Sequence, residues 1–508
     1  MVPTEGQNLA DRFLAAAAGA GDRTAIVVAG DDARALTYDE LTARAERLAS
    51  VLHARGIRAG DRVGVLLANG NEHLEVLLAS FLLRAVPVNL SYRDTPSDVH
   101  AVLDATRVSM VVHEPDLDPQ HRVALARGEA YEAALDGASP APSVADRSGD
   151  DRYLLCTGGT TGRPKAVLWR HDDLYRGALA PAGGEVGVDD TRATRCLPAS
   201  PFAHGTGQWM ALATLLHRGT VVCRRDRSFD PEAVLDTVDA ESVSYLVVVG
   251  DAFARPLLDV LDACPGRWSL ASLTTVLSGG APLSSTLTAD LLRQVPTAIV
   301  VDGFGASETG GHGRMVTVAG TPADERPPRF HVDADTAVLG DDLRPLHAGD
   351  RSTGFLARRG TVPIGYENDP EATAATFPII DGVRWALSGD RARVEADGSV
   401  TVLGRGAATI NTGGHKVQAE EVEQALRTHP AVRDVVVIGV PDDRFGERVA
   451  AIVSARHDAH PTLESVRRHC RARLAPYKVP RHLVVVDEVA RSLAGKPDYA
   501  WARQIASS

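Results

Sequence analysis

Residues 157–165, TGGTTGRPK, bring together the residue types that bind an oligophosphate. Glycines lack a Cβ, so backbone N–H groups can converge on phosphate oxygens. Thr160 and Thr161 add hydroxyl donors, one of which could also bind a metal ion, and Lys165 adds a positive charge. Because the segment follows the short apolar run RYLLC, the pattern predicts a strand that leads into a phosphate-binding loop. A solvent-exposed loop without a ligand is the alternative.

Two common nucleotide-binding motifs are excluded. A P-loop requires a lysine between glycine and serine or threonine, whereas Lys165 lies between Pro164 and Ala166. A dinucleotide fingerprint requires three glycines, but in the segment 302–311, DGFGASETGG, Glu308 occupies the position of the third. The chain is therefore predicted to bind phosphates through a different type of loop.

The charge balance argues against a general nucleic-acid-binding protein. The 508 residues include 54 lysines and arginines and 66 aspartates and glutamates, a formal net charge of −12, whereas proteins of that class usually have a basic surplus. Residues 405–508 alone carry 16 basic and 12 acidic residues. A basic C-terminal part that faces an anionic ligand would explain this difference, and so would chance.

The five cysteines are far apart and form no CxxC pair. This spacing favours reduced thiols and a cytoplasmic location over disulfides or a zinc site. The N-terminal residues lack the basic region and the apolar core of a signal peptide. The most apolar stretch, residues 74–90, is interrupted by charged residues and a proline, so we expect no membrane span.

Short apolar strands alternate with amphipathic helices over most of the chain. The spacing predicts a helix at 37–55 with Thr37 as its N-cap, a strand at 62–68 and a helix from residue 71. Further strands are predicted at 108–113, 220–225, 243–250, 273–280 and 297–305. This alternation is typical of a layered α/β domain.

The amino-acid composition changes towards the C-terminus. Frequent glycine, proline and aspartate between residues 316 and 365 predict a β-rich subdomain. A compact α+β unit is predicted after residue 404, and a chain of this length is expected to form two or more domains. We place the boundary at Arg405, which gives an N-terminal domain of residues 1–404 and a C-terminal domain of residues 405–508.

Five segments, in order, resemble the motifs of the adenylate-forming (acyl-activating, AMP-binding) superfamily. They are CTGGTTGRPKAV at 156–167, FGASE at 304–308, SGD at 388–390, GRGAATINTGGHKVQAEEVE at 404–423 and RSLAGKPD at 491–498. The similarity covers nearly the whole chain and is closest to bacterial acyl-CoA synthetases for fatty acids and steroid side chains. It implies an α/β fold with a large N-terminal domain of layered α/β subdomains plus a β-rich subdomain, and a small mobile α+β C-terminal domain.

The resemblance implies that the chain activates a carboxylic acid with ATP, forms acyl-AMP and pyrophosphate, and then transfers the acyl group to CoA. ATP, Mg²⁺ and CoA are the implied cofactors. An enzyme that only adenylates, and hands acyl-AMP to a partner enzyme or carrier protein, is the alternative within this class. A non-catalytic nucleotide-binding protein is the alternative outside it. An α/β-hydrolase is excluded because Thr309 replaces the last glycine of G-x-S-x-G.

The catalytic residues implied by the resemblance are Lys496, Glu308, His204 and Thr160. Glu308 and Thr160 would bind Mg²⁺, and Lys496 would neutralise charge on the carboxylate and the α-phosphate. Phe304 would stack on adenine. The residues implied to contact ATP or AMP are Thr157, Gly158, Gly159, Thr160, Thr161, Gly162, Lys165, Gly279, Gly280, Ala281, Pro282, Asp302, Gly303, Phe304, Gly305, Ala306, Ser307, Asp390, Arg405 and Lys496.

The implied acyl pocket consists of Phe202, His204, Gln208, Trp209, Val249, Asp251 and Ala252, and the implied CoA tunnel of Gly413, Gly414 and His415. The expected substrate is a bulky, largely apolar acid, with polycyclic terpenoid or steroid acids ranked above straight chains. Ala407 and Ala408 replace the acidic or lysine residues that most relatives carry after the hinge arginine, which leaves the thioester step open. A homodimer is also left open.

Overall fold

The three-dimensional structure, a computed structural model, describes residues 6–31, 33–139, 146–157, 165–180, 194–321, 328–350, 352–405, 409–412, 415–442, 446–491 and 497–506. In this part of the chain the strands form three β-sheets, and helices pack against them.

The α-helices are numbered in chain order. They are α1 Leu9–Ala17, α2 Tyr38–Ala54, α3 Asn71–Leu82, α4 Pro96–Thr106, α5 Glu129–Asp136, α6 His171–Leu174, α7 Gly205–Leu216, α8 Pro231–Ala240, α9 Gly250–Ala263, α10 Ser285–Gln294, α11 Pro370–Thr376, α12 Ala419–Arg427, α13 Leu463–Arg471 and α14 Tyr499–Ala506. A turn of π-helix, Tyr175–Leu179, continues α6, and a 3₁₀ turn is found at Pro476–Lys478.

The strands are numbered in the same way. They are β1 Thr24–Ala29, β2 Arg34–Thr37, β3 Arg62–Leu66, β4 Val86–Asn89, β5 Met110–His113, β6 Ala124–Ala126, β7 Arg152–Thr157, β8 Lys165–Arg170, β9 Arg195–Pro198, β10 Thr220–Arg224, β11 Tyr245–Val248, β12 Thr275–Gly279, β13 Ile299–Ala306, β14 Gly310–Val318, β15 Arg329–Val332, β16 Thr336–Leu339, β17 Gly354–Arg359, β18 Gly365–Tyr366, β19 Ile379–Ile380, β20 Val383–Val394, β21 Val400–Arg405, β22 Thr409–Thr412, β23 His415–Gln418, β24 Val432–Asp442, β25 Gly446–Ala455 and β26 His482–Val486.

The largest sheet contains 14 of the described strands, in the order β16-β17-β20-β21-β15-β14-β13-β12-β11-β9-β10-β1-β2, with β19 beside β20. From β13 to β1 every neighbouring pair is parallel. β14 pairs antiparallel with β13 and begins the β-rich part of the sheet. Parallel strands are stable when helices cover both faces of the sheet, so this central section requires helical layers above and below.

The second sheet has the order β18-β8-β7-β4-β3-β5-β6. The third has the order β23-β22-β25-β24, with β26 beside β25. β21 ends in the large sheet at Arg405, and β22 begins in the third sheet at Thr409. The chain therefore passes from one sheet to another over very few residues.

Helices form the layers that the parallel strands require. Buried side chains of α1, α2, α3 and α7 pack in one core with side chains of both the large and the second sheet. Those of α8, α9 and α10 cover the opposite face of the large sheet. The third sheet packs its own core against α12 and α13. The predicted α/β class, with a large N-terminal and a smaller C-terminal domain, is confirmed.

The most apolar stretch of the chain is buried in the protein. It forms α3 and β4, and nearly every α3 side chain is buried, because this helix lies in the core between two sheets. Among the described helices, none is long and apolar enough to cross a bilayer.

The predicted helix after Thr37 begins as its sequence indicates. Thr37 Oγ1 accepts a hydrogen bond from the Glu40 N–H at 3.2 Å, and Glu40 Oε2 accepts one from the Thr37 N–H at 2.8 Å. This reciprocal capping box satisfies two backbone donors that have no partner within the helix.

Replacement of Thr37 by alanine is expected to lower stability by about 1 kcal/mol, because one of these donors loses its acceptor. Thr42→Ala is the matched control, since the Thr42 hydroxyl only donates to the Tyr38 carbonyl within the helix. The measurement is the midpoint of thermal unfolding. Equal midpoints for the two variants would contradict the capping role.

Candidate active site

The candidate site lies where the carboxyl ends of four neighbouring parallel strands, β9, β11, β12 and β13, meet at one edge of the large sheet. In open α/β sheets, ligands bind in the crevice outside these ends. The predicted segments 201–209, 249–257, 278–283 and 304–308 all follow or complete these strands. A cavity of about 2390 Å³ opens there.

The glycine–threonine segment is the connection of a hairpin. β7 and β8 pair antiparallel with Thr157 opposite Lys165, and Thr157 Oγ1 donates to the Lys165 carbonyl at 3.3 Å. Both residues line the cavity. The predicted phosphate ligands Gly158, Gly159, Thr160, Thr161 and Gly162 lie outside the described residues. The structure therefore places the two ends of the loop at the cavity.

A chain of contacts joins the hairpin to the FGASE segment. The Lys165 Nζ lies 4.7 Å from the centroid of the Tyr366 ring, and the Tyr366 hydroxyl donates to Glu308 Oε1 at 3.0 Å. Trp169 Nε1 donates to the Ser307 carbonyl at 3.0 Å. Lys165, Glu308 and Ser307 line the cavity with Tyr366.

Tyr366 was missed by sequence reasoning. Its neighbours in the sequence, PIGYEND, have no functional pattern. Its position becomes clear only when β18 pairs with β8 beside the hairpin, which places Tyr366 opposite Val167.

The proposed adenine side is built by the ends of β12 and β13. Gly279 lies opposite Gly303 in the parallel pair, and Gly280 has a φ of +87° that a side chain would strain. Phe304 packs against the rings of His312 and Phe330, with centroid distances of 5.7 and 5.4 Å. The predicted residues at this part of the wall are Gly279, Gly280, Ala281, Pro282, Asp302, Gly303, Phe304, Gly305 and Ala306.

Asp302 has the most unusual electrostatic environment in this wall. It is 6% exposed, and burial, with a smaller effect from the nearby Asp251 carboxylate, raises its pKa from 3.8 to about 8. Burial disfavours the charged form of a carboxyl group. At neutral pH Asp302 is therefore mainly a neutral acid that can both donate and accept a hydrogen bond.

Asp390 lies on β20. It follows Gly389, which has a φ of +81°. Its backbone lies opposite that of Arg405 in the antiparallel pair of β20 and β21. Asp390 is 7% exposed and lines the cavity. The side chain of Arg405 lies outside the described part of the chain.

The predicted acyl-pocket residues do not all reach the cavity. His204, the N-cap of α7, lines it together with Trp209 and Val249. Phe202 and Gln208 do not line it and are 0% and 1% exposed. Phe202 packs against the ring of His73, and the Gln208 amide donates to His73 Nε2. The structure therefore places these two predicted acyl-pocket residues in the protein interior, outside the lining of the cavity.

Gln208 instead belongs to a buried polar network behind Trp209. It accepts a hydrogen bond from the Tyr153 hydroxyl, and its amide donates to His73 Nε2 at 3.3 Å. Trp209 Nε1 donates to the Tyr153 hydroxyl at 3.1 Å. Burial lowers the pKa of His73 to about 4, so its neutral ring can accept from the amide. This network fixes the indole that faces the cavity.

Asp251 and Ala252 also lie away from the cavity wall, at the start of α9. Asp251 Oδ1 accepts from the Ser284 N–H at 2.7 Å, and its Oδ2 lies 3.6 Å from Arg427 Nε of α12. Asp251 therefore links the loop after β12 to the C-terminal part of the chain. The structure does not bring Asp251 and Ala252, two residues predicted for the acyl pocket, to the lining of the cavity.

The C-terminal part closes one side of the cavity. Arg491 and Pro497 form an antiparallel bridge, and both line the cavity. They flank residues 492–496, which include Lys496 and lie outside the described residues. Gly413, Gly414 and the side chain of His415 also lie outside the described part.

Among the described residues, no group of three or more His, Cys, Asp or Glu side chains is arranged to hold a metal ion. Glu308 does provide a cavity-facing carboxylate beside the end of the hairpin. Magnesium commonly takes one or two protein carboxylates together with substrate phosphates. The donor set fits a magnesium ion that arrives with a nucleotide.

Comparison with known proteins agrees with this geometry. A profile for "AMP-binding enzyme" matches residues 13–362, and one for "AMP-binding enzyme C-terminal domain" matches residues 421–496. A 3-oxocholest-4-en-26-oate–CoA ligase of Rhodococcus rhodochrous is 38% identical, over 94% of this chain and 92% of its own length.

A medium/long-chain-fatty-acid–CoA/3-oxocholest-4-en-26-oate–CoA ligase of Mycolicibacterium smegmatis is also 38% identical, over 98% of this chain and 96% of its own. Among solved structures, ATP-bound MatB from Rhodopseudomonas palustris has a TM-score of 0.82 and 26% identity, over 98% of both chains. The chain therefore belongs to the AMP-binding enzyme family, and its interpretation as an adenylate-forming acid–thiol ligase is confirmed.

Proposed function

We propose that the chain activates a bulky, largely apolar carboxylic acid, of the polycyclic steroid-like or fatty type, and transfers it to CoA. The observation that carries the proposal is a cavity lined both by the segments predicted to bind the nucleotide and by apolar side chains of the large sheet. The Rhodococcus relative is named for a cholestenoate, and the Mycolicibacterium relative for that acid and for fatty acids.

The apolar floor follows from strand alternation. Tyr245, Thr275 and Ile299 lie opposite one another on β11, β12 and β13, and all three line the cavity. The next residues of these strands, such as Leu246 and Val276, are buried on the other face. Successive strand residues point to opposite faces.

One step further along, Leu277, Val301 and Val316 form a second cavity-facing row on β12, β13 and β14. Strands about 4.8 Å apart make such a floor roughly 10 Å wide over three strands. On α7, Trp209 and Met210 line the same cavity. A broad apolar surface of this kind favours a fused-ring acid over a straight chain in our proposal.

The chemistry requires two anions, a carboxylate and a triphosphate, to approach each other. In our proposal, the hairpin loop with Lys165 holds the β- and γ-phosphates, and Lys496 neutralises the charge that develops at the carboxylate and the α-phosphate. The position of Arg491 and Pro497 at the cavity supports this role for Lys496. His204 would orient the carboxylate at the start of α7.

Glu308 is proposed to hold Mg²⁺ together with Thr160. The ion would offset phosphate charge. The Tyr366 hydroxyl, which donates to Glu308 Oε1, would fix the orientation of that carboxylate.

Asp390 and Arg405 are proposed to bind the ribose, and Phe304 to stack on the adenine. For the thioester step, we place the domain boundary at Arg405, where β21 ends. Rotation of the C-terminal domain about this point would bring Gly413, Gly414 and His415 into a CoA tunnel.

The alternative, adenylation with transfer to a partner enzyme or carrier protein, rests on Ala407 and Ala408 at the hinge. A homodimer stays a prediction. So does a cytoplasmic location, which the five free thiols favour.

The purified enzyme with ATP, Mg²⁺ and CoA is expected to form CoA thioesters, with the highest kcat/KM for acids that carry a fused-ring system. Pyrophosphate release and mass spectrometry of thioesters, over a panel of steroid, fatty and benzoic acids, measure this. Acyl-AMP that accumulates without thioester would instead favour the adenylation-only alternative. A preference for benzoic acids would contradict the proposed substrate class.

Lys496→Ala is expected to lower acid-dependent pyrophosphate release at least about a hundredfold, because charge at the reacting atoms is no longer neutralised. Lys478→Ala is the matched control in the same domain, since Lys478 pairs with Glu421 at 2.5 Å, away from the cavity. Near-normal adenylation by the Lys496 variant would refute its assigned role.

Asp302→Asn is expected to stabilise the nucleotide-free enzyme increasingly as the pH rises. The folded protein keeps the Asp302 proton up to a pKa of about 8, whereas the unfolded chain releases it near 3.8. As the pH rises from 3.8 to about 8, the wild type therefore loses stability relative to the variant. The difference between the two melting temperatures should grow from pH 4 to pH 8 and then level off. Parallel curves would show that Asp302 is not buried as a neutral acid.

A further inference from the structure

The start of α9 contacts both the C-terminal domain and the cavity wall at the ends of β12 and β13, which we call the nucleotide wall. Gly250, its first residue, has a φ of +55°, and a Cβ there would overlap the Pro282 carbonyl oxygen. The Gly250 N–H donates to Ser278 Oγ at 3.1 Å. This close approach, which only glycine permits, fixes the position of the next residue, Asp251.

Asp251 is bound to the loop that follows β12 through two hydrogen bonds. Its N–H donates to the Pro282 carbonyl at 3.1 Å, and its Oδ1 accepts from the Ser284 N–H at 2.7 Å. Pro282 and Ser284 both line the cavity. The Asp251 carboxylate also contributes to the raised pKa of Asp302 in the same wall.

The second carboxylate oxygen faces the C-terminal domain. Asp251 Oδ2 lies 3.6 Å from Arg427 Nε, and the two side chains are 14% and 7% exposed. Arg427 is held within its own domain by Glu423 at 3.1 Å, and Glu423 Oε1 accepts from the Val437 N–H at 2.9 Å. Because both partners are fixed and poorly solvated, their attraction is screened much less than that of a surface pair.

A second charged pair lies further along α9. Asp259, eight residues after Asp251, lies 3.0 Å from Arg433 of the C-terminal domain. Both side chains are about half exposed, so this pair contributes little on its own. It crosses the same interface and is a natural control for the buried pair.

We propose that Asp251 is a positioning residue for adenylate formation. Through its contact with Arg427, it holds the C-terminal domain in a defined position against the loop that follows β12. This inference rests on the proposed function. In the docked arrangement Arg427 and Arg491 line the cavity, and Arg491 directly precedes residues 492–496 in the sequence. The contact must break when the domain rotates, so the thioester step does not depend on it.

The test separates the two half-reactions. Acid-dependent ATP–pyrophosphate exchange reports adenylation, and conversion of supplied acyl-AMP and CoA reports thioester formation. Asp251→Asn keeps an oxygen that can accept from the Ser284 N–H but loses the charge that faces Arg427. We expect kcat for exchange to fall about tenfold with little change in KM for ATP, and thioester formation to stay within about twofold.

Asp259→Asn is the matched control and is expected to leave both half-reactions within about twofold. Arg427→Gln should give the same selective loss as Asp251→Asn, and the double variant should be no worse than either single variant. Thermal unfolding checks that each variant is folded. If Asp251→Asn does not fold, Arg427→Gln tests the same contact from the other side.

Equal losses in both half-reactions, no loss of exchange, or additive effects in the double variant would overturn the inference. A wild-type enzyme inactive in both half-reactions would instead refute the proposed function.

Discussion

Parallel strands fix the direction in which the chain leaves a sheet, and the candidate site depends on this constraint. β9, β11, β12 and β13 all run the same way, so the segments after them reach one edge. The cavity-facing sides of β11, β12 and β13 supply the apolar floor, and their ends supply the nucleotide wall.

The distribution of charge gives the C-terminal domain a part in this arrangement. The whole chain carries a net charge of −12, but residues 405–508 have four more basic than acidic residues. Arg427 and Arg491 of that domain line the cavity, and Lys165 is a cavity-lining cation of the large domain. Cations that line the cavity are therefore contributed by both domains, and in our proposal they act together on the two anionic substrates when the domains are docked.

Features set by local periodicity could be predicted from sequence, and those set by packing could not. The helix after Thr37 and the strand from Arg62 follow from cap and apolar spacing, and the structure has both. The motif residues between Gly279 and Glu308 line the cavity as expected. The buried network around Gln208 could not be read from the sequence, because proximity in sequence does not reveal which face of α7 is covered. Tyr366 depends on a strand pairing with residues about 200 positions earlier.

Asp251 and Asp302 illustrate why the nature of a residue does not determine its role. Both are acids at or just after the ends of parallel strands, Asp302 in β13 and Asp251 after β11. Burial keeps Asp302 neutral at the cavity wall, whereas Asp251 faces a cation from another domain. Two neighbouring carboxyl groups avoid sharing full negative charge in a poorly solvated site. With Asp302 neutral, Asp251 can pair with Arg427 without a further negative charge in the cavity wall beside it, so the cavity wall and the domain contact are electrostatically compatible.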